Sequence, residues 1–169
     1  MNTQPSPPRK LRKADVRENF RSGAEELDDW LKRFAWQNQQ ANNATTYVSI
    51  YEQRVIGYYA ITVASVAREL AQAAVAKHAP RQVPCLLMAR LAVDYTAQGS
   101  GIGRALLADA LHRAARLAET VGIRALLLHA RDDEARRFYL SQAEFLQSPT
   151  DPLHLLLPIK DITRQFGSP

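Results

Sequence analysis

The sequence predicts an α/β (α+β) domain with a mixed central sheet flanked by helices, and three observations carry that prediction. Hydrophobic patterns of period two and period 3.6 follow one another in the order β, α, β, β, β, α, β, α, β, β. From Cys85 to Leu107 a strand, a glycine cluster and a helix succeed each other, C-L-L-M-A-R-L-A-V-D-Y-T-A-Q-G-S-G-I-G-R-A-L-L. The apolar run Arg124–Ala130 then follows that helix, and a β-α-β crossover makes it a near neighbour of the strand before the glycines.

Residues 1–8 hold three prolines and little that could pack, so a disordered start is expected there, with a single domain over 9–169. Leu11, Ala14 and Val16, set among charges, predict a short edge strand over Arg9–Val16. Ser22 or Gly23 opens a helix with Glu25 and Glu26 in its first turn. Its buried stripe is Leu27, Trp30, Leu31, Phe34 and Ala35, and Asp28, Asp29, Lys32, Arg33 and Gln37 form the wet side. Thr45–Tyr51 and Val55–Val66 are β-branched and aromatic runs either side of Glu52, Gln53 and Arg54, which reads as a hairpin. A short helix fits Arg68–Ala79, and Pro80 and Pro84 bracket the link into the central strand. The strongest amphipathic helix runs from Ile102 to Val121, with Gly122 as its stop. Asp132 or Asp133 caps the next helix, through Tyr139 and Leu140, and strands around Glu144–Gln147 and Leu153–Ile159 close the chain.

At 169 residues the chain can bury one substantial core, and 46% hydrophobic with 23% charged residues is the composition of an ordinary globular protein. The single cysteine, Cys85, lies in an apolar run and reads as core; the four histidines lack metal-ligand spacing. No apolar stretch approaches a membrane span and the Met1 end has no signal-peptide core, so the expected compartment is cytoplasmic, with no membrane partner. A net charge of +5 suits a polyanionic partner without demanding one.

The glycine cluster carries the chemistry. Gln98, Gly99, Ser100, Gly101, Ile102 and Gly103 put three glycines where the chain turns into a helix, so backbone N–H groups can face a pyrophosphate with no side chain in the way. The spacing departs from the dinucleotide pattern G-x-G-x-x-G, and Gly103 is followed by Arg104 and Ala105 where the Walker pattern needs Lys and Ser or Thr.

The segment resembles the acyl-coenzyme A loop of the GNAT N-acetyltransferases, Q/R-x-x-G-x-G/A, through Gln98, Gly101 and Gly103. The element order is that of the GNAT fold. Phe20–Gln37 (F-x-x-G-x-x-x-L-D-D-W-L-x-x-x-A-x-Q), R-L-A-V-D and A-R-R-F-Y resemble a narrower group, the toxins of bacterial toxin–antitoxin pairs that acetylate the amino group of aminoacyl-tRNA and block translation. The resemblance implies that strands four and five splay around acetyl-coenzyme A. Leu91, Ala92 and Val93 would then meet the pantetheine arm, with the Val93 N–H polarising the thioester carbonyl. The diphosphate would meet the N–H groups from Gln98 to Arg104. Tyr139 matches the tyrosine that protonates the leaving thiolate. Asp132 stands where the family has a cofactor-contacting asparagine, a departure, because a carboxylate cannot donate as an amide does and repels phosphate.

A tRNA partner would use Lys32, Arg33, Arg81, Arg90, Arg136 and Arg137. The resemblance further implies an antitoxin with a ribbon-helix-helix part, and a homodimer. Two other readings compete with the toxin: an acetyltransferase of a small amine or protein amino group, and a noncatalytic module that binds coenzyme A or nucleic acid.

Overall fold

The computed structural model describes residues 4–167. Its strands form one mixed sheet in the order β1-β2-β3-β4-β5-β7-β6. They are β1 (Arg9–Lys10), β2 (Thr45–Tyr51), β3 (Arg54–Ala67), β4 (Gln82–Val93), β5 (Ala125–His129), β6 (Leu146–Gln147) and β7 (His154–Pro158). The parallel pair is β4 with β5, as the crossover requires; β1–β2, β2–β3, β5–β7 and β6–β7 are antiparallel. The helices are α1 (Glu25–Asp29), α2 (Ala35–Gln40), α3 (Ala73–Ala76), α4 (Ile102–Leu117), α5 (Asp133–Gln142) and α6 (Ile159–Phe166). Contacts divide the chain into two units, one of the described residues up to Thr62 with Ala89–Asp109, the other of Val63–Met88 with the described residues from Ala110 onward.

In the first unit, Leu11, Phe20, Leu31, Ala35, Val48, Val55, Tyr58 and Ala92 form the core, with Leu27, Trp30, Trp36 and Ile50 packed against it. The β2–β3 hairpin turns on Glu52 and Gln53, whose φ of 50° and 69° are the left-handed pair of a two-residue turn. The long helix expected after Gly23 is broken by a π-helical segment, Trp30–Phe34, between α1 and α2. That wider turn rotates the stripe: Leu31 and Ala35 stay buried while Phe34 is 48% exposed, against the expectation that it packs. Asp28, expected on the wet side, is buried, because its carboxylate accepts the Ser22 N–H and hydroxyl.

The edge strand expected over Arg9–Val16 shrinks to β1 and an isolated bridge from Val16 to Arg54. Between them Arg9 and Asp15 pair at 2.8 Å. Of the start expected to be disordered, residues 1–3 lie outside the described residues, but Ser6 is tied to β2. Its N–H and C=O bond Ile50 and Ser49, and its hydroxyl accepts the Ile50 N–H.

In the second unit, Val75, Ala79, Val83, Cys85, Ala125, Leu127 and Leu156 form a core. Burial pushes the Cys85 thiol up to about 11, which makes it a packing residue. The predicted helix over Arg68–Ala79 is a 3-10 turn, Arg68–Leu70, followed by α3. Helix α4 ends at Leu117, short of Gly122. Helix α6 follows Pro158 where the sequence reading ended on a strand. Among the described residues no helix is long and apolar enough to cross a membrane.

Candidate active site

The candidate residues fall in both units, and each group takes its geometry from its own unit. In the first, β4 runs from its ladder with β5, Cys85–Met88 opposite Ala125–Leu128, on through Ala89 to Val93. The next N–H, that of Asp94, donates to the Ile56 C=O of β3 at 2.8 Å. Successive backbone groups of a strand point to opposite sides, so the Leu91 and Val93 N–H groups are directed away from β3 and the Ala92 groups toward it. Val93 therefore offers the amide that polarisation of a carbonyl needs, while buried Ala92 serves the core.

A 3-10 turn, Tyr95–Ala97, leads into the glycine cluster. Gly99 and Gly101 have φ of 79° and 88°, and a Cβ on either would meet nothing within 4 Å. Glycine is required there by backbone conformation. At the α4 start the Ala105 N–H already bonds the Gly101 C=O, and the N–H groups of Ile102, Gly103 and Arg104 are the helix's orphan donors. Ser100 and Arg104 are exposed beside them. These donors, aligned with a helix dipole, fit a diphosphate.

The Gln98 side chain behaves differently from the rest of the cluster. Its Nε2 donates to the C=O of Ser22 at 2.8 Å and of Val93 at 3.0 Å. Asp94, fully buried, accepts the Arg21 and Thr96 N–H groups and the Thr96 hydroxyl, with the Arg54 guanidinium 3.6 Å away. Burial raises the pKa of this carboxyl, but the hydrogen bonds from Thr96 and Arg21 and the charge of Arg54 outweigh it, and the net shift is downward. Sequence reasoning missed Asp94; its place directly after the strand-ending Val93 was the available signal.

Three of the basic candidates lie in this unit. Arg90 is half-buried with its guanidinium 4.3 Å over the Trp30 ring, which stacks on Tyr58, and desolvation lowers its pKa. Lys32 and Arg33 follow Trp30 in the π segment. Lys32 lines a cavity of about 640 Å³ with Arg21, Gly23, Glu25, Asp28, Asp29 and Tyr95.

In the second unit Asp132 caps α5, its Oδ1 accepting the Ala135 N–H at 2.8 Å, and pairs with Arg131 at 3.3 Å. One carboxylate oxygen is thus spent on the helix. Tyr139, 7% exposed, packs edge-on against Phe138 and Phe145. No group among the described residues hydrogen-bonds its hydroxyl, and burial raises its pKa, so the phenol stays protonated near neutrality, as a proton donor must. Arg136 and Arg137 both pair with Asp133, at 3.2 and 3.3 Å, which takes up part of their charge. Arg81 is exposed ahead of β4. His129 ends β5 with its ring exposed and stacked 4.0 Å from His154. Among the described residues no group of three His, Cys, Asp or Glu could hold a metal ion.

A strand-end amide turned out of its ladder and an N–H cradle at a helix start are features that suit an α/β protein to a diphosphate-bearing acyl carrier. The sequence profile described as acetyltransferase (GNAT) family matches residues 11–145, and the chain belongs to that family. A tRNA-acetylating toxin of Mycobacterium tuberculosis is 43% identical over 162 residues, spanning 96% of this chain and 97% of its own. A solved structure of AtaT complexed with acetyl-methionyl-tRNAfMet is 26% identical, with a TM-score of 0.84, over 94% of this chain and 98% of that one. A tyrosine-to-phenylalanine variant of AtaT, bound to the C-terminus of the antitoxin AtaR and acetyl-CoA, is 25% identical with a TM-score of 0.80, over 95% and 97% of the two chains.

Proposed function

We propose that this chain is an acetyl-coenzyme A dependent N-acetyltransferase that acetylates the α-amino group of aminoacyl-tRNA, and so acts as a translation-blocking toxin. The observation that carries the reading is the 43% identity, along nearly the full length of both chains, to a protein named as a tRNA-acetylating toxin. The cradle at Gln98–Arg104 and the outward Val93 amide support it from the chemistry.

Acetyl-coenzyme A, when bound, supplies the acetyl group as an activated thioester. The orphan N–H groups at the α4 start hold the diphosphate, and the Leu91 and Val93 backbone orients the pantetheine arm. The Val93 N–H donates to the carbonyl oxygen as negative charge builds there. Tyr139 holds a proton at its phenolic oxygen for delivery to the departing sulfur, and the attacking amine gives up its own proton to water. The α-amino group of an aminoacyl ester is less basic than a lysine, so a useful neutral fraction exists without a dedicated base. Asp132 contributes as the α5 cap.

The basic residues available to tRNA are Lys32, Arg33 and Arg90 in one unit and, separately, Arg81, Arg136 and Arg137 in the other. The protein works in the cytoplasm as a single-domain homodimer, and its neutralising partner is an antitoxin with a ribbon-helix-helix DNA-binding part. A small-amine or protein acetyltransferase is the second reading; the acidic side chains Glu25, Asp28 and Asp29 around one cavity favour it. Purified enzyme with acetyl-CoA tests the two. Acetyl transfer to charged tRNA and not to free amino acids supports the toxin, and the reverse pattern supports the alternative.

A further inference from the structure

Between Asp94 and Ile102 the chain has one short 3-10 turn and two left-handed glycines, so its own backbone gives it little rigidity. This connection nevertheless has to keep two functional groups in register. The Val93 amide lies at its start and the N–H cradle at its end, and one extended carrier must engage both.

What holds the connection is the turn before α1. The Tyr95 N–H donates to the Arg21 C=O at 2.7 Å, and the Arg21 N–H donates to Asp94 Oδ1 at 2.9 Å. Gln98 closes the far end, its Nε2 reaching both the Ser22 and Val93 carbonyls. The turn is itself fixed from behind, where the Ser22 N–H and hydroxyl bond Asp28. A side-chain amide has two N–H donors, and Gln98 spends both. Only its Oε1 is left, an acceptor, which has the wrong polarity for a phosphate oxygen. The Gln98 side chain is therefore unsuited to be a diphosphate ligand.

We infer that Gln98 and Asp94 are positioning residues: they clamp the β4–α4 connection to the Arg21–Ser22 turn and so fix the span between the Val93 amide and the cradle. The inference rests on the acetyltransferase reading, not on which amine is acetylated. Without the clamp the diphosphate still finds its N–H donors, but the thioester carbonyl no longer arrives at Val93. A misplacement of about 1 Å costs on the order of a hundredfold in rate.

The test uses Gln98→Met, which keeps length and loses both donors, and Asp94→Asn, which turns one acceptor into a donor facing donors. Each is assayed with acetyl-CoA and with acetyl-pantetheine, a donor lacking the diphosphate, on charged tRNA and on a free amino acid ester. Both variants should lose kcat with acetyl-CoA on the order of a hundredfold. KM for acetyl-CoA should change little, and kcat/KM with acetyl-pantetheine should match the parent. Gln98→Arg restores two N–H donors and should recover kcat, which keeps the inference testable if Gln98→Met does not fold. A raised KM with unchanged kcat would make Gln98 a direct ligand and overturn the clamp, as would equal losses with both donors, no loss, or no recovery by arginine. Turnover of the ester alone would remove the tRNA reading and leave the clamp standing. A parent chain that acetylates neither acceptor would overturn both.

Discussion

Gly57 offers a sharp test of how the cradle is seated. A Cβ built there lies 2.8 Å from Ile102 Cγ2 and 3.0 Å from Leu106 Cδ1, with the Ala92 C=O at 3.6 Å. Ordinary carbon contacts begin near 3.4 Å, so in Gly57→Ala the first turn of α4 has to give way by several tenths of an ångström. Ile102 is β-branched and begins the helix whose orphan N–H groups form the cradle, so it cannot swing aside as the end of a long chain could. Overpacking of this size costs about 1–3 kcal/mol. In a chain of this length that lowers Tm by roughly 2–12 °C. The same shift moves the donors, so the dissociation constant for coenzyme A should rise several-fold in parallel. Thermal unfolding and isothermal titration calorimetry read the two effects. Gly122→Ala is the control, since a Cβ there meets nothing within 4 Å and its φ is not left-handed; it should leave both unchanged or slightly raise Tm. Unaltered Tm and affinity in Gly57→Ala would refute the claim that β3 sets the position of the cradle.

Tyr139→Phe keeps the buried ring and removes a hydroxyl that bonds nothing among the described residues, so the stability should stay within about 1 kcal/mol of the parent's. Its kcat should fall by roughly 10²–10⁴, the range for losing a general acid, and steady-state kinetics with thermal melts would separate the two effects. Gly101→Ala forces a side chain onto φ of 88° at a cost of about 1–2 kcal/mol with no steric clash, so coenzyme A binding should weaken by titration; unchanged binding would mean the left-handed turn is dispensable. Asp94 is more acidic in the folded chain than in the unfolded one. Its contribution is therefore complete above the unfolded carboxyl range near pH 4 and is lost as pH falls through the depressed folded value. Asp94→Asn should accordingly flatten the acid limb of the stability profile, measured by urea melts between pH 3 and pH 7.

Elements written in local periodicity were readable. The α4 stripe of Leu106, Leu107, Ala110, Leu111 and Ala114 is buried as its spacing requires, and the apolar run of β5 is enclosed between β4 and β7. The hairpin was legible from β-branched residues, although Glu52 and Gln53 lack the glycine or asparagine that usually marks its turn. What escaped depended on partners distant in the chain. A 3.6-residue wheel cannot announce a π-helical turn, so Phe34 was assigned to the wrong side of its helix, and nothing on the wheel shows that Ser22 draws the Asp28 carboxylate inward. The Gln98 side chain looked like part of a binding loop, because nothing local shows that Ser22, 76 residues earlier, accepts its proton. Gly57 reads as one more residue of a strand until Ile102 is packed against it.

What separates an aminoacyl-tRNA acetyltransferase from its rivals is the acceptor. Labelled acetyl-CoA should be incubated with the purified chain and charged bulk tRNA, with uncharged tRNA and free amino acids as controls. Label should enter charged tRNA alone and be released with the amino acid on mild alkaline cleavage of the ester. Label on free amino acids or on the protein, with none on charged tRNA while coenzyme A binding is intact, would contradict it.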